Sequence, residues 1–548
     1  MEKVLKKYYK FIFFAIAVFL LYPTFQSGYI FLLDWSVRPE ISLADVDWKI
    51  DSIVRIINYG LASIVSFGVF QRIYLFAIIF FLGLAGFRLA KNTGNVFAQY
   101  FAGIFLIFNP FIYARLVEQP GIALGSLFFF WFLIYFLEYL AEKEKNRKIW
   151  AAAILAGLTI ASFPHSAFFV ATSMVALLTF HFFRNRNWEF ILKTMLIVGM
   201  GIIILNGNWL FSFASGTDGG VGGMRSFSLD DAKAFETKRS GDHSVYYTVL
   251  ALQGYWGEDQ DRFVSIQENP IWMIAFWAIF LLAMFGLAKQ FLNKDIFAKP
   301  LTLTAVIAYV LAIGIASPIF APLANFLYDH FPFYIGLRES QKWAVVLVFF
   351  YAYFGSWGIK FLWETKKLKG YRLEIGLLAI LLPVIFSFSM IRGMHEHLAP
   401  HEFPSEWQAA KKYLQENPTD GKILFLPWHL YMEFDFAGKN VATPAKGFFG
   451  KNIIQGNNTE TGKVYSHSLD EQTLAIEKYI AHKGNPAEKI DYADFSKDME
   501  KLGIQKIMLT KTEDWQEYSW LDRMNLKKVL ENDKLIIYNL RSEPRTKF

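Results

Sequence analysis

Cysteine is absent from the 548 residues, so disulfide staples, thiolate nucleophiles and cysteine-ligated metal centres are excluded. Charge is scarce as well. Asp, Glu, Lys and Arg make up 19% of the chain, against roughly a quarter in soluble domains, while 54% is hydrophobic and 18% aromatic. That balance excludes a water-soluble globule and describes a polytopic membrane protein. The glycine-rich stretch SGTDGGVGGMRSF has no G-K-[ST] after it, which excludes a P-loop. No metal-binding signature occurs, and any metal ligands would have to come from Asp, Glu and the ten His. No cofactor is indicated; a divalent metal stays open.

What is present is a series of apolar runs near the ~20 residues that a bilayer crossing needs. They fall at about 8–26, 72–90, 97–116, 121–140, 148–164, 166–183, 190–211, 270–289, 301–327, 342–363 and 373–391, which predicts about eleven spans. Ser317-Pro318 and Pro322 should break or kink the run at 301–327. A basic start followed by an apolar core also fits a signal peptide, but no small-residue cleavage site follows, so the first run reads as a retained span.

Basic residues recur in every second short loop: Lys3, Lys6, Lys7 and Lys10; Arg88 and Lys91; Lys143, Lys145, Arg147 and Lys148; Arg184 and Arg186; Lys289, Lys294 and Lys299; Lys366, Lys367, Lys369 and Arg372. The positive-inside rule then puts the N-terminus in the cytoplasm and everything after about Arg392 outside. This asymmetry accounts for the formal charge of +7, so no nucleic-acid partner is implied.

On that topology the unusual polar residues converge outside. They include the acidic stretch Asp34, Glu40, Asp45, Asp47 and Asp51, then RLVEQPG from Arg115, FPHS from Phe163, the 212–269 loop, and DHFPFYIGLRESQK from Asp329. Apolar residues at helical spacing within 48–66 predict a surface-lying helix in the first outer loop, 33–71. The 212–269 loop, with Asp218, Arg225, Asp230 and Asp231, reads either as a flexible lid or as a plain connector. Beyond Arg392 the pattern turns soluble. Helical stretches at about 404–416, 470–483, 493–502 and 514–522 alternate with strand-like KILFLPW, IQKIMLT and KLIIYNL, predicting an α/β domain over 392–548 after a membrane domain over 1–391. Its LPWHLYMEFDF places Trp428, His429, Tyr431 and Asp435 either on a ligand-gripping surface or on an ordinary edge strand.

The layout, together with YIFLLDW (29–35), FNPFIYARLVEQPG (108–121) and FPFYIGLRESQKW (331–343), resembles the GT-C superfamily of integral-membrane glycosyltransferases. Within it, the likeness is to bacterial YfhO-like and cell-wall arabinofuranosyltransferase-like membrane proteins. It implies a GT-C-like all-α bundle with an extracytoplasmic α/β domain, set in the bacterial cytoplasmic membrane. It also implies transfer of a sugar from a polyprenyl-phosphate donor to an extracytoplasmic glycan, lipid or protein acceptor. The chain departs from metal-dependent oligosaccharyltransferases in having no obvious D-x-D early in the first loop; DVD at 45–47 lies later.

Such a reaction needs a base, because an acceptor alcohol does not ionise unaided near neutral pH, and a partly desolvated carboxylate at the membrane boundary suits the task. Asp34, flanked by Leu33 and a potential sugar-stacking Trp35, is the candidate; the alternative is a turn-capping or ion-paired aspartate. The leaving phosphate should meet cations, and Arg338 and Lys342, four apart and beside Glu339, are placed for it, as is Arg115; snorkelling to lipid head groups is the bland alternative. Glu118, His165, Glu339 and Trp35 are the expected orienting residues, with Arg115 and Glu118 holding either substrate or each other. Two other classes stay open. A lipid-linked-sugar flippase or transporter should carry charges inside its spans, which are nearly uncharged here. A non-catalytic envelope scaffold would need neither Asp34 nor the Arg338 cluster.

Overall fold

The computed structural model describes all residues except 1, 50, 143–145, 216–227, 332–333, 462–463, 468–469, 481–490 and 541–548. Eight of the described helices are long and apolar enough to cross a membrane, or nine if the bent pair at 366–395 counts as one span. The expected eleven are therefore not reached by length and composition. The two runs that fall short still form helices where they were expected. Helix α1 (Glu2–Leu21) carries Lys6, Lys7 and Lys10 within its length. The other, Asn146–Ser162, is only 17 residues long.

Helix α2 (Ile53–Ile64) has Ser52 as its N-cap and, at 12 residues or about 18 Å, is too short for a ~30 Å hydrocarbon core. Helix α3 (Phe67–Leu89) follows immediately, capped by Ser66, so the second span starts five residues earlier than the apolar run suggests. Next come α4 (Val96–Ile107), α5 (Pro110–Glu118), α6 (Pro120–Ala141) and α7 (Asn146–Ser162). Asn109 caps α5 with Pro110 at its first turn, and Pro120 restarts the chain as α6. The expected break near Ser317 occurs: one helix covers Ala298–Ile313 and the next begins at Ala321.

Close helix packing is built on glycine. A Cβ on Gly286 would lie 1.9 Å from the Phe354 carbonyl oxygen, and one on Gly358 would lie 2.2 Å from that of Leu282. The two helices, Trp272–Leu292 and Ala344–Glu364, thus touch backbone to backbone through reciprocal small residues, the packing that membrane helices favour. Gly286→Leu is expected to destabilise the bundle by about 1–3 kcal/mol or more, read as a lower apparent melting temperature in detergent.

After the bundle, five strands form a mixed sheet in the order β4-β1-β7-β9-β8. These are β1 (Lys422–Leu426), β4 (Ile453–Ile454), β7 (Ile504–Thr510), β8 (Lys527–Glu531) and β9 (Leu535–Asn539). Strand β1 runs parallel to both β4 and β7, and β9 antiparallel to β7 and β8. Two hairpins lie apart from it: β2 (Tyr431–Phe434) with β3 (Lys439–Ala442), and β5 (Thr459–Thr461) with β6 (Val464–Ser466). Helices at Ser405–Glu416, Glu471–Glu477 and Tyr492–Lys501 occupy the anticipated stretches.

This α/β region is bolted to one end of the bundle. Tyr29 and His401 exchange backbone hydrogen bonds of 2.8 and 2.9 Å, and Lys411 and Lys451 reach Glu40 and Asp45 at 2.7 Å each. Gly28 sits at that joint with φ +105°, where a Cβ would come within 2.8 Å of the His401 oxygen. Two of the basic loops meet at one carboxylate: Arg88, in the last turn of α3, binds Glu138 through both Nε and Nη2, and Lys148 joins it at 3.0 Å.

Candidate active site

Asp34 lies in the tight turn Leu32–Trp35 that follows α1, closed by the Trp35 N–H donating to the Leu32 oxygen at 3.4 Å. The Asp34 N–H donates to the Glu118 oxygen at 3.1 Å, which ties the turn to the α5–α6 break. Its carboxylate is held on both sides. Oδ1 accepts from the Tyr431 hydroxyl at 2.8 Å and Oδ2 from Gln119 Nε2 at 2.8 Å. Tyr431 comes from β2, so the bundle and the α/β region meet on this one side chain.

Many protein atoms lie close to Asp34, yet its side chain stays exposed and borders two cavities. The first, about 130 Å³, is polar; Arg338, Glu339, Gln119, Arg262, Tyr431 and Glu460 are among its walls. The second, about 360 Å³, runs between α2, α3 and the ends of α6 and α7, with Trp35, Phe67, Phe70, Tyr74, Arg38 and Arg55 in its lining. Burial pushes the Asp34 carboxyl above the usual carboxylate range and nearby Glu339 adds to this, against the hydrogen bonds from Tyr431 and Gln119. The Tyr431 phenol is itself driven far up by burial and by Asp34, so it stays a donor.

Behind the polar cavity stands a charge network. Arg115 is fully buried and donates to Gln119, to Glu339 Oε2 at 3.2 Å and to Gln341 Oε1 at 2.6 Å, with its guanidinium 4.4 Å from the Tyr255 ring centre. Lys342 is also buried and meets Glu339 Oε1 at 3.3 Å. Burial alone would raise the Glu339 carboxyl; Lys342, Arg115 and Arg338 instead hold it down at about 2. Arg338 packs its guanidinium 4.9 Å from the Phe235 ring centre and lines the cavity with Asp34.

Of the residues expected at the site, the structure brings Asp34, Arg338 and Glu339 to one cavity and Trp35 to the adjoining one. Arg115 and Lys342 stand one layer back, engaged with Glu339. Arg115 and Glu118 are not partners of each other as anticipated: Glu118 is buried against Arg262, 2.7 Å away, because Arg115 turns towards Glu339. His165 occupies the turn Pro164–Ser166, within electrostatic reach of Lys342 and Arg338. The glycines of the expected lid, with Asp218 and Arg225, lie outside the described residues. Asp231, in the first turn of a short helix (Leu229–Ala234) capped by Ser228, accepts from the Ser228 N–H at 2.7 Å and from Ser466.

No protein-family model and no curated protein matches this sequence. Solved structures do. The arabinofuranosyltransferase AftD from Mycobacteria aligns with 97% of this chain at a TM-score of 0.61 and 11% identity. This chain spans only 40% of AftD's length. ArnT from Cupriavidus metallidurans, solved bound to undecaprenyl phosphate, aligns over 97% of this chain and 98% of its own at a TM-score of 0.52 and 12% identity. The chain has the GT-C fold. It is a multi-pass membrane protein of that architecture, and at such identities the likeness is one of fold.

Within this GT-C fold several site residues had little signal in the sequence. Gln119 was visible only as the residue before Pro120, and Arg262 only as one of the charged residues of the 212–269 loop. Arg38 and Arg55 were hidden in an acidic stretch. Glu460 had no local cue at all. Around His429, expected on a ligand-gripping surface, the structure separates four roles. Trp428 is buried with its indole on Glu477 at 3.0 Å, His429 sits between Glu460 and Asp514, Tyr431 holds Asp34, and Asp435 pairs with Lys534.

Proposed function

We propose that the protein transfers a sugar from a polyprenyl-phosphate donor to the hydroxyl of a glycan, lipid or protein outside the cytoplasm, with Asp34 as general base. The reading rests on one observation above all: Asp34 is a solvent-accessible carboxylate, fixed by Tyr431 and Gln119, at the junction of a cavity holding Arg338 and a larger aromatic one. In the reaction the acceptor hydroxyl gives its proton to Asp34 as its oxygen bonds to the anomeric carbon. The bond from that carbon to the phosphate oxygen breaks, and the phosphate leaves with the electron pair towards Arg338. Lys342 and Arg115 add positive potential from behind Glu339, which orients them, while Trp35 offers the acceptor an apolar face. Glu118 and His165 support the walls of the site. ArnT, a protein of the same fold, was solved with undecaprenyl phosphate, which supports this donor class here.

The test is reconstitution of the full chain in vesicles with a panel of polyprenyl-phosphate sugars: at least one should be consumed, and consumption of none would overturn the reading. Sidedness belongs to the same proposal, with the N-terminus in the cytoplasm and the region after residue 391 outside, as a separate α/β unit. A reporter fused after Leu540 should be active only outside the cytoplasm, and one fused between Glu142 and Lys148 only inside. The reverse pattern would place the site where no lipid-linked donor of this kind waits.

A further inference from the structure

Glu460 is a carboxylate of the polar cavity that the mechanism leaves unused. It lies in the β5–β6 hairpin of the α/β region, and its side chain reaches the cavity that Asp34 and Arg338 share. Its Oε1 accepts from His429 Nδ1 at 2.6 Å and from Asn458 Nδ2 at 2.6 Å. His429 Nε2 in turn lies 3.2 Å from both oxygens of Asp514. With a carboxylate on each ring nitrogen, both nitrogens must carry protons. Burial alone would push His429 down, but its bonds to Asp514 and Glu460 raise it to about 10, so an imidazolium stands behind Glu460. Among the described residues its side-chain contacts fall on Oε1, and Oε2 is the oxygen offered to a ligand.

Around Glu460 the wall mixes donors and acceptors with an aromatic face, Thr459, Asn440 and Gln260 beside the Trp256 ring, while the cavity's Arg262 is held by Glu118 at 2.7 Å. A volume of about 130 Å³ holds roughly ten water-sized groups, the size of one sugar ring. We propose that Glu460, helped by Thr459, forms the subsite for the sugar being transferred, its carboxylate accepting hydrogen bonds from that sugar's hydroxyls. The sugar is then a neutral polyol rather than a uronic acid, whose carboxylate would face Glu460. The inference rests on the glycosyltransferase reading, because Arg338 must hold the phosphate for the attached sugar to extend towards Glu460.

The experiment uses the full chain in vesicles with polyprenyl-phosphate-linked neutral hexoses, N-acetylhexosamines and pentoses, the glucuronosyl donor, and single-deoxy analogues of whichever neutral donor is consumed. The unaltered protein should consume a neutral donor, reject the glucuronosyl one, and lose about 10- to 100-fold in kcat/KM on one deoxy analogue. Glu460→Gln should raise the KM of the neutral donor by a similar factor, change kcat far less, and no longer distinguish that deoxy analogue. Thr459→Val should raise KM in the same direction. An active protein that accepts the glucuronosyl donor as readily as neutral ones, or that keeps its KM in both variants, overturns the subsite alone. The deoxy series on the unaltered protein decides the matter even if a variant fails to fold. A protein that consumes no lipid-linked sugar overturns the glycosyltransferase reading and this inference together.

Discussion

Asp34→Asn should lower the rate of sugar transfer by on the order of a hundred- to ten-thousandfold while leaving donor binding within a few-fold of the unaltered protein. The substitution keeps the side chain's shape and one carbonyl oxygen, so the bond from the Tyr431 hydroxyl at 2.8 Å can persist. What disappears is the acceptor of the proton. An acceptor alcohol attacks as an alkoxide-like oxygen only if its proton goes somewhere as the bond forms, and water is too weak a base to replace a carboxylate held at that point. Steady-state transfer in vesicles, with donor binding measured separately, checks both halves. Transfer at the unaltered rate would remove Asp34 from the chemistry.

The second large effect is expected at Arg338. Arg338→Ala should weaken donor binding and lower kcat together, with a combined loss in kcat/KM of about a hundredfold or more. Phosphate charge is present in the bound donor and concentrates on the departing oxygen in the transition state, so one cation serves both states. Arg338→Lys should recover only part of the loss, because a point charge replaces a planar fork that can hold two phosphate oxygens. Lys342 does not stand in for it, since its ammonium is buried against Glu339 at 3.3 Å. A kcat/KM unchanged in Arg338→Ala would mean that the phosphate is met elsewhere, and Arg38 and Arg55 in the aromatic cavity would be the next cations to test.

Sequence reading reached some parts of this molecule and not others for identifiable reasons. The helices announced themselves because a bilayer imposes a long apolar run, and the strands at 422–426, 504–510 and 535–539 because short, nearly continuous apolar runs rich in Ile and Leu, bounded by polar residues, suit a buried strand. The count of eleven spans is not confirmed, since a 17-residue helix at 146–162 and a lysine-bearing α1 satisfy a hydropathy scan more easily than a test of length and charge. Asp34 and Arg338 were legible because a charged residue beside an apolar run stands out. Their relation was not. Gln119, Tyr431 and Glu460 approach Asp34 or its cavity from positions 85 to 426 residues further along the chain, and local pattern carries no trace of such contacts. The same holds for Arg115: its arginine was conspicuous, but burial against Glu339 and Gln341 is a tertiary fact.

The central claim is that Asp34 is the base, and the pH dependence of kcat/KM in unaltered and Tyr431→Phe proteins tests it most directly. Burial raises the Asp34 carboxyl, and the Tyr431 hydrogen bond opposes that rise by stabilising the carboxylate. Base catalysis needs the ionised form, so activity should fall as pH drops through a value above the ordinary aspartate range. Removing the Tyr431 hydroxyl takes away a bond to the charged form, which must raise the carboxyl further and move the acidic limb to higher pH. The account predicts that upward displacement, with activity recovering towards the unaltered level at alkaline pH. An acidic limb that stays put in Tyr431→Phe, or moves to lower pH, would contradict it.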